Sequence, residues 1–114
     1  MNQAMIQMFL LSFAQAQSEA HKNAVDKGFW GGQINMGERL ALIHSEVSEA
    51  LEAARKGNPP DSKIPEFNSV TAELADVIIR VMDLAGGLDL SLAAAILAKM
   101  EHNKGRGYRH GKFF

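Results

Sequence analysis

Apolar residues recur three and four positions apart along much of the chain, which is the spacing of one face of an α-helix. A first such segment spans residues 3–25 and ends at the glycine-rich stretch 27–32. A second segment opens at Asn35, whose side chain together with Glu38 three residues later forms a capping pattern. The break at 57–60, Gly-Asn-Pro-Pro, ends this second predicted helix.

Two further segments keep the same spacing. A third helix is predicted to begin between residues 65 and 69 and to end at Gly86 and Gly87. A fourth follows a cap at Asp89 or Ser91 and fades near Asn103. No segment alternates as a strand does, so the pattern predicts an all-α, four-helix bundle-like fold. We expect one domain over residues 1–114, with 103–114 an irregular basic tail.

The apolar stripes of the second and third predicted helices identify the faces expected to pack together. At 100° per residue each stripe occupies one side of its helix. The residues predicted to be buried are Leu40, Ile43, Val47, Ala50, Leu51 and Ala54 on the second helix, and Val70, Leu74, Val77, Ile78, Val81 and Leu84 on the third.

Each of these two helices also carries a pair of carboxylates three residues apart, at the edge of its stripe. The pairs are Glu46 with Glu49 and Glu73 with Asp76. Residues at this spacing share a helix face, so packing of the two stripes would bring four carboxylates together beside the seam. Four ionised carboxylates in a partly buried place require cations to compensate them. The pattern therefore predicts a site for divalent metal.

Composition narrows the class of protein. Hydrophobic residues make up 46% of the chain and aromatic residues only 7%, which favours helices over sheet. A net charge of −1 creates no overall field, so we expect neither a nucleic-acid polymer nor a membrane as partner. The apolar run at residues 8–13 has no preceding Lys or Arg and is interpreted as part of the first helix. The absence of cysteine excludes disulfides and thiol chemistry and agrees with a cytoplasmic protein.

Three segments resemble motifs of one enzyme family. Residues 37–52, Gly-Glu-Arg-Leu-Ala-Leu-Ile-His-Ser-Glu-Val-Ser-Glu-Ala-Leu-Glu, resemble the first motif of MazG-like nucleotide pyrophosphohydrolases. Residues 73–77, Glu-Leu-Ala-Asp-Val, resemble the second motif, and residues 99–104 the C-terminal signature. The likeness covers residues 37–112 in the family's order. The resemblance implies an all-α fold and an enzyme that hydrolyses nucleoside triphosphates to monophosphate and pyrophosphate with Mg²⁺. Mn²⁺ is expected to substitute for Mg²⁺.

Carried over position by position, the resemblance makes Glu46, Glu49, Glu73 and Asp76 the metal ligands, with Glu46 and Glu49 also catalytic. One position departs from the pattern, because many relatives carry a second glutamate where this chain has Ser45. The general base is therefore open between Glu49, Glu52 and a water activated by the metal alone.

Candidates for binding the phosphates and the nucleobase of the substrate lie outside the acidic pairs. Cations and amides make strong bonds to phosphate, and the candidates are Lys99, Asn103, Lys104 and Arg106. A merely solubilising C-terminus is an equally weighted interpretation. Phe29 and Trp30 are candidates for stacking on a nucleobase, although an aromatic side chain beside a loop is more often a packing anchor.

The expected partners are a nucleoside triphosphate substrate and further copies of the chain, as a dimer or tetramer. A short chain with a Met-rich first helix has little core of its own, and the family resemblance also suggests oligomers. The expected role is nucleotide-pool house-cleaning. Two rival functions remain: a di-iron carboxylate bundle, which normally uses Glu-x-x-His pairs absent here, and a non-catalytic oligomerising bundle.

Overall fold

The chain folds into α-helices joined by loops, without a β-strand. The computed structural model describes all residues 1–114. Four helices form: α1 (Gln3–Asp26), α2 (Met36–Arg55), α3 (Ser69–Gly87) and α4 (Leu92–Lys104). A short 3₁₀ turn, Tyr108–Gly111, interrupts the tail beyond α4. The prediction of an all-α fold is confirmed.

Asparagine side chains define where three of the helices begin. Asn2, Asn35 and Asn68 each precede a helix and accept a hydrogen bond from the backbone N–H three residues on, at 2.9–3.0 Å. Such a cap satisfies one of the N–H groups that a helix terminus leaves unpaired. The capping pattern at Asn35 is thus confirmed, and Asn68 places the start of α3 within the predicted window.

Helix α3 occupies the centre of the fold, because it packs against both α1 and α2. Helix α4 turns away from α3 by 118° and packs against α1. No single helix is long and apolar enough to cross a membrane, and only the bent pair α3 and α4 taken together reaches such a length and composition.

Gly86 and Gly87 form the last turn of α3 and allow close packing there. A Cβ atom on Gly87 would overlap the Trp30 ring, and one on Gly86 would lie 2.8 Å from the Cβ atom of His21. Only glycine permits this approach. The pair therefore lets α1 and the loop at 27–32 lie directly against α3, in addition to marking its end.

The core is small, and the predicted stripes are only partly inside it. The buried residues are Ala50, Ala72, Leu84, Ala85 and Ala93. The prediction that the stripes of α2 and α3 are wholly buried is wrong, because the two helices meet through small and acidic side chains. Large aliphatic residues of both stripes point outward instead, among them Leu40, Val47, Leu51, Leu74 and Ile78.

Candidate metal-binding site

Three carboxylates converge where α2 meets α3. Glu46, Glu49 and Glu73 each offer an oxygen, and these oxygens lie within 4.8 Å of one another. Helix α2 supplies two of them one turn apart, while α3 supplies the third from the opposite side of the seam. The name acidic cluster is used below for these three residues. Their spacing allows one cation to be bound by all three.

Burial within the acidic cluster increases toward the seam. Glu49 is exposed, Glu73 is half-buried, and the Glu46 side chain is only 12% exposed. One oxygen of Glu73, Oε2, is inaccessible to solvent and has no hydrogen-bond partner. A buried polar atom without a partner carries a desolvation cost, which a bound cation or an ordered water would remove.

The surroundings disfavour ionisation of the carboxylates on α3. Burial raises the pKa of Glu73, and the neighbouring carboxylate of Glu49 raises it further. Partial burial also raises the pKa of Asp76, with the charge of Glu46 as the next cause and Lys63 opposing it. Both shifts arise from removing water and collecting like charges, so a divalent cation would reverse them.

Asp76 lies beside the acidic cluster rather than inside it. It is not among the three residues whose oxygens fall within 4.8 Å, although the charges of Glu46 and Glu49 both act on it. The structure therefore brings together three of the four predicted ligands and places the fourth next to them. Asp76 follows Glu73 by one turn and lies on the same face of α3.

Arg80 is bonded directly to the acidic cluster, and no motif had singled it out. Its Nε–H donates to Oε1 of Glu46 at 2.7 Å. Arg80 follows Asp76 by four residues and Glu73 by seven, so it lies on the same face of α3. That spacing was the signal in the sequence that could have identified it.

Two cavities open on either side of the acidic cluster. The first, called the inner cavity, measures about 250 Å³ and lies between α1, α2 and α3. Its walls include Asn23, Phe29, Arg39, Glu46, Asp76 and Asp83. The second, called the outer cavity, measures about 400 Å³ and is bounded by Glu49, Glu73 and the loop around Pro60 and Asp61. The carboxylates thus separate a space with an aromatic wall from a more polar one.

Trp30 is held in place by neighbours on several sides. Its Nε1–H donates to Oδ1 of Asp83 at 2.8 Å, and the same oxygen lies 3.0 Å from Nδ1 of His21. The guanidinium of Arg39 lies over the Trp30 ring, 3.9 Å from its centroid. Because Arg39 covers that face, stacking of a nucleobase on Trp30 remains a prediction that the contacts do not favour. Arg39 and Phe29, rather than Trp30, line the inner cavity.

The predicted phosphate-binding residues are not near the acidic cluster within one chain. Lys99, Asn103, Lys104 and Arg106 are all exposed, and none lines either cavity. Lys104 instead pairs with Glu101 at 3.3 Å. The reason is topological, since α4 bends away from α3 and packs on α1.

The contacts of Ser45, which replaces the usual glutamate, and of Glu52, one of the candidate bases, do not commit either side chain to activating a water. Ser45 donates its hydroxyl to the carbonyl of Leu42 at 2.6 Å, one turn back in α2. Glu52 borders the outer cavity and lies 3.7 Å from Lys56. Glu49 is exposed and belongs to the acidic cluster, so its carboxylate is accessible to water.

Comparison of the chain with protein-family models, with curated proteins and with solved structures finds no match.

Proposed function

We propose that the protein is a Mg²⁺-dependent, MazG-like nucleoside triphosphate pyrophosphohydrolase, which cleaves a (deoxy)nucleoside triphosphate to the monophosphate and pyrophosphate. The observation that carries the proposal is the convergence of Glu46, Glu49 and Glu73 from two helices within 4.8 Å. The order of the motifs along the sequence supports the same conclusion.

The acidic cluster fits a hard divalent cation. All of its donors are carboxylate oxygens, the ligand type that Mg²⁺ and Mn²⁺ accept, and the unpartnered Oε2 of Glu73 lacks only such a partner. No histidine belongs to the cluster, which argues against a di-iron site. When bound, the cation would neutralise charge on the phosphates and lower the pKa of a water.

The side chains around the cluster divide the remaining work. The inner cavity has an aromatic wall at Phe29 and donors at Asn23 and Arg39, which suit a nucleoside. Glu49, exposed at the opposite edge, accepts the proton of the attacking water. Asp76, beside the cluster, would be a further ligand. The acidic site repels a triphosphate on its own, so activity requires metal.

Further copies of the chain are part of the proposal. Leu51 is 61% exposed and Leu74 and Ile78 are each 51% exposed, on outward faces of the two helices that carry the site. Exposed apolar faces of this kind favour association. A dimer or tetramer would cover them, and a neighbouring copy would bring Lys99, Asn103, Lys104 and Arg106 to the phosphates. Light scattering at micromolar concentration should find such an oligomer, and a monomer would contradict this part of the proposal.

A direct assay tests the activity. Purified protein is incubated with a panel of canonical and modified nucleoside triphosphates, and pyrophosphate and monophosphate are measured with Mg²⁺, with Mn²⁺ and with chelator. We expect equal amounts of both products, formed only with metal. Release of inorganic phosphate instead of pyrophosphate, or no turnover of any nucleotide, would contradict the proposal and favour the non-catalytic bundle. A role in nucleotide-pool house-cleaning in the cytoplasm is proposed on the same basis.

A further inference from the structure

Arg80 provides the only ion pair made by any residue of the acidic cluster. Its Nε–H donates to Glu46 at 2.7 Å, and none of its other four N–H groups forms a hydrogen bond within the chain. The pair is half-buried, with side-chain exposures of 36% for Arg80 and 12% for Glu46. A guanidinium in this setting has one donor committed to a carboxylate and the rest free for a second anion.

The position of Arg80 joins the acidic cluster to the inner cavity. Arg80, Glu46 and Asp76 all line that cavity, so the guanidinium stands where the carboxylates give way to the space proposed for a nucleoside. The positive charge of Arg80 also acts on Asp76. A phosphate linked to a nucleoside in the inner cavity would therefore lie between Arg80 and a cation on the acidic cluster.

We infer that Arg80 is an exchangeable counter-ion of the site: it holds Glu46 while no metal is bound, and passes to a phosphate group of the substrate when a divalent cation takes Glu46. The inference rests on the proposed function and adds a residue that contacts substrate.

Competition for a single carboxylate is the physical basis of the exchange. Oε1 of Glu46 accepts from Arg80, and the same carboxylate belongs to the group of oxygens within reach of one cation. A guanidinium left beside a divalent cation is repelled by it and has lost its partner. An incoming phosphate supplies a new one, because its oxygens match the planar fork of arginine.

A purely structural ion pair makes the opposite prediction for metal. If Arg80 only held the Glu46 side chain in position for coordination, its removal would weaken metal binding. Exchange predicts tighter binding, since a competing and repelling charge is gone. The sign of the change therefore distinguishes the two roles.

The experiment measures Mn²⁺ binding without nucleotide, by electron paramagnetic resonance of the free ion, for wild type, Arg80→Ala and Arg80→Gln. The glutamine variant keeps much of the side-chain length and guards against a loss of folding, which circular dichroism checks. Arg55→Ala is the matched control, because Arg55 is an exposed arginine of α2 without an ion pair. We expect both Arg80 variants to bind Mn²⁺ roughly three- to tenfold more tightly, as loss of a half-buried ion pair implies, and Arg55→Ala to match wild type.

A second measurement tests the phosphate contact. Calorimetry with a non-hydrolysable α,β-imido nucleoside triphosphate at saturating Mg²⁺ should give roughly tenfold weaker binding for Arg80→Ala, the loss expected for a hydrogen bond to a charged group. Unchanged or weaker Mn²⁺ binding, or unchanged nucleotide binding, in the Arg80 variants would overturn the inference alone. Failure of the wild-type protein to bind Mn²⁺ at all would instead overturn the proposed function, and this inference with it.

Discussion

The acidic cluster and the basic tail are two charged regions of the molecule, and they differ in how closely packing brings their charges together. Glu46, Glu49 and Glu73 come from two helices that pack on each other, and their oxygens lie within 4.8 Å. The cations of the tail are exposed on or beyond the end of α4, and Lys104 reaches no further than Glu101 in its own helix. Like charges are thus held together by the fold, while the charges that would balance a substrate stay apart from them.

Packing explains the difference. Small residues such as Ala50 and Ala72 let α2 and α3 approach closely, so Glu46, one turn before Ala50, and Glu73, next to Ala72, lie at the seam. Beyond Lys104 there is no comparable face, and the aromatic residues Tyr108, Phe113 and Phe114 are almost fully exposed. A collected group of like charges stores an unfavourable energy that protonation, an ion pair or a bound cation relieves. A dispersed group does not.

The largest expected effect comes from removing a charge in the acidic cluster or at Asp76 beside it. Glu49→Gln or Asp76→Asn keeps the shape of the side chain but removes a charge, so we expect loss of metal binding and of turnover with the helical fold intact. Pyrophosphate release and circular dichroism measure the two properties. Glu19→Gln, on the exposed side of α1, is the control and should be fully active. Magnesium-dependent activity in both site variants would refute the assignment of the carboxylates.

A smaller effect is expected from the tail. Replacing Lys104 and Arg106 together by alanine should raise the Michaelis constant for the triphosphate several-fold, because these cations are proposed to hold the outer phosphates. Mn²⁺ affinity without nucleotide and binding of the product monophosphate should change little. Lys22→Ala is the control, since Lys22 is exposed on α1 and pairs only with Asp26. Unchanged kinetics in the double variant would make the tail a solvated terminus.

The Glu49→Gln variant and the tail double variant together test whether the tail acts on a neighbouring copy. Neither Lys104 nor Arg106 lines a cavity beside the acidic cluster of its own chain. If the tail works across an oligomer, mixing Glu49→Gln with the tail double variant should assemble some sites that have intact carboxylates and an intact tail. Such mixtures should bind triphosphate more tightly, with a lower Michaelis constant, than the tail variant alone. If the mixture hydrolyses triphosphate only as the sum of the two separate proteins does, action of the tail across the interface is contradicted.

Periodicity and caps were sufficient to predict the helices, because local chemistry determines where each begins and ends. Asn35 and the glycine and proline residues at 57–60 illustrate this, and both boundaries are confirmed. The convergence of Glu46 with Glu73 was also predictable, since residues at the edge of a packed stripe must meet. Arg80 was missed because a lone arginine on an apolar helix resembles a solvated charge until its partner is known.

The outward direction of Val47, Leu51, Leu74 and Ile78 could not be predicted from one chain's pattern. Periodicity identifies an apolar face but not which neighbour covers it. At the seam of α2 and α3 the buried residues are Ala50 and Ala72, each next to an acid, and the larger aliphatic side chains stay exposed. The same limit applies to the tail, whose charges are evident in the sequence but whose target is not.

Without metal, the crowding of carboxylates should make the stability of the folded chain depend on pH. The pKa of Glu73 is raised in the folded chain, so its contribution to stability is present below the ordinary carboxyl range and is lost as pH rises through the raised pKa. We therefore expect Glu73→Gln to stabilise the metal-free protein at neutral pH and to have no such advantage in acid. Urea unfolding of wild type and variant, at neutral pH and in acid, measures this difference in stability. An equal effect of the substitution at both pH values would contradict it.

The smallest effect is expected at Ser45, where the chain departs from the pattern of the family it resembles. Its hydroxyl donates to the carbonyl of Leu42 within α2, and the side chain is exposed. This local bond adds little to a helix that its backbone hydrogen bonds already hold. Ser45→Ala should therefore change turnover by no more than about twofold, the scale of an ordinary surface substitution. That outcome would leave Glu49 as the proposed acceptor of the proton of the water. Steady-state kinetics of Ser45→Ala beside Ser48→Ala, an exposed serine on the next turn, provides the comparison. A tenfold loss confined to Ser45→Ala would move the activation of water to the serine and away from the acidic cluster.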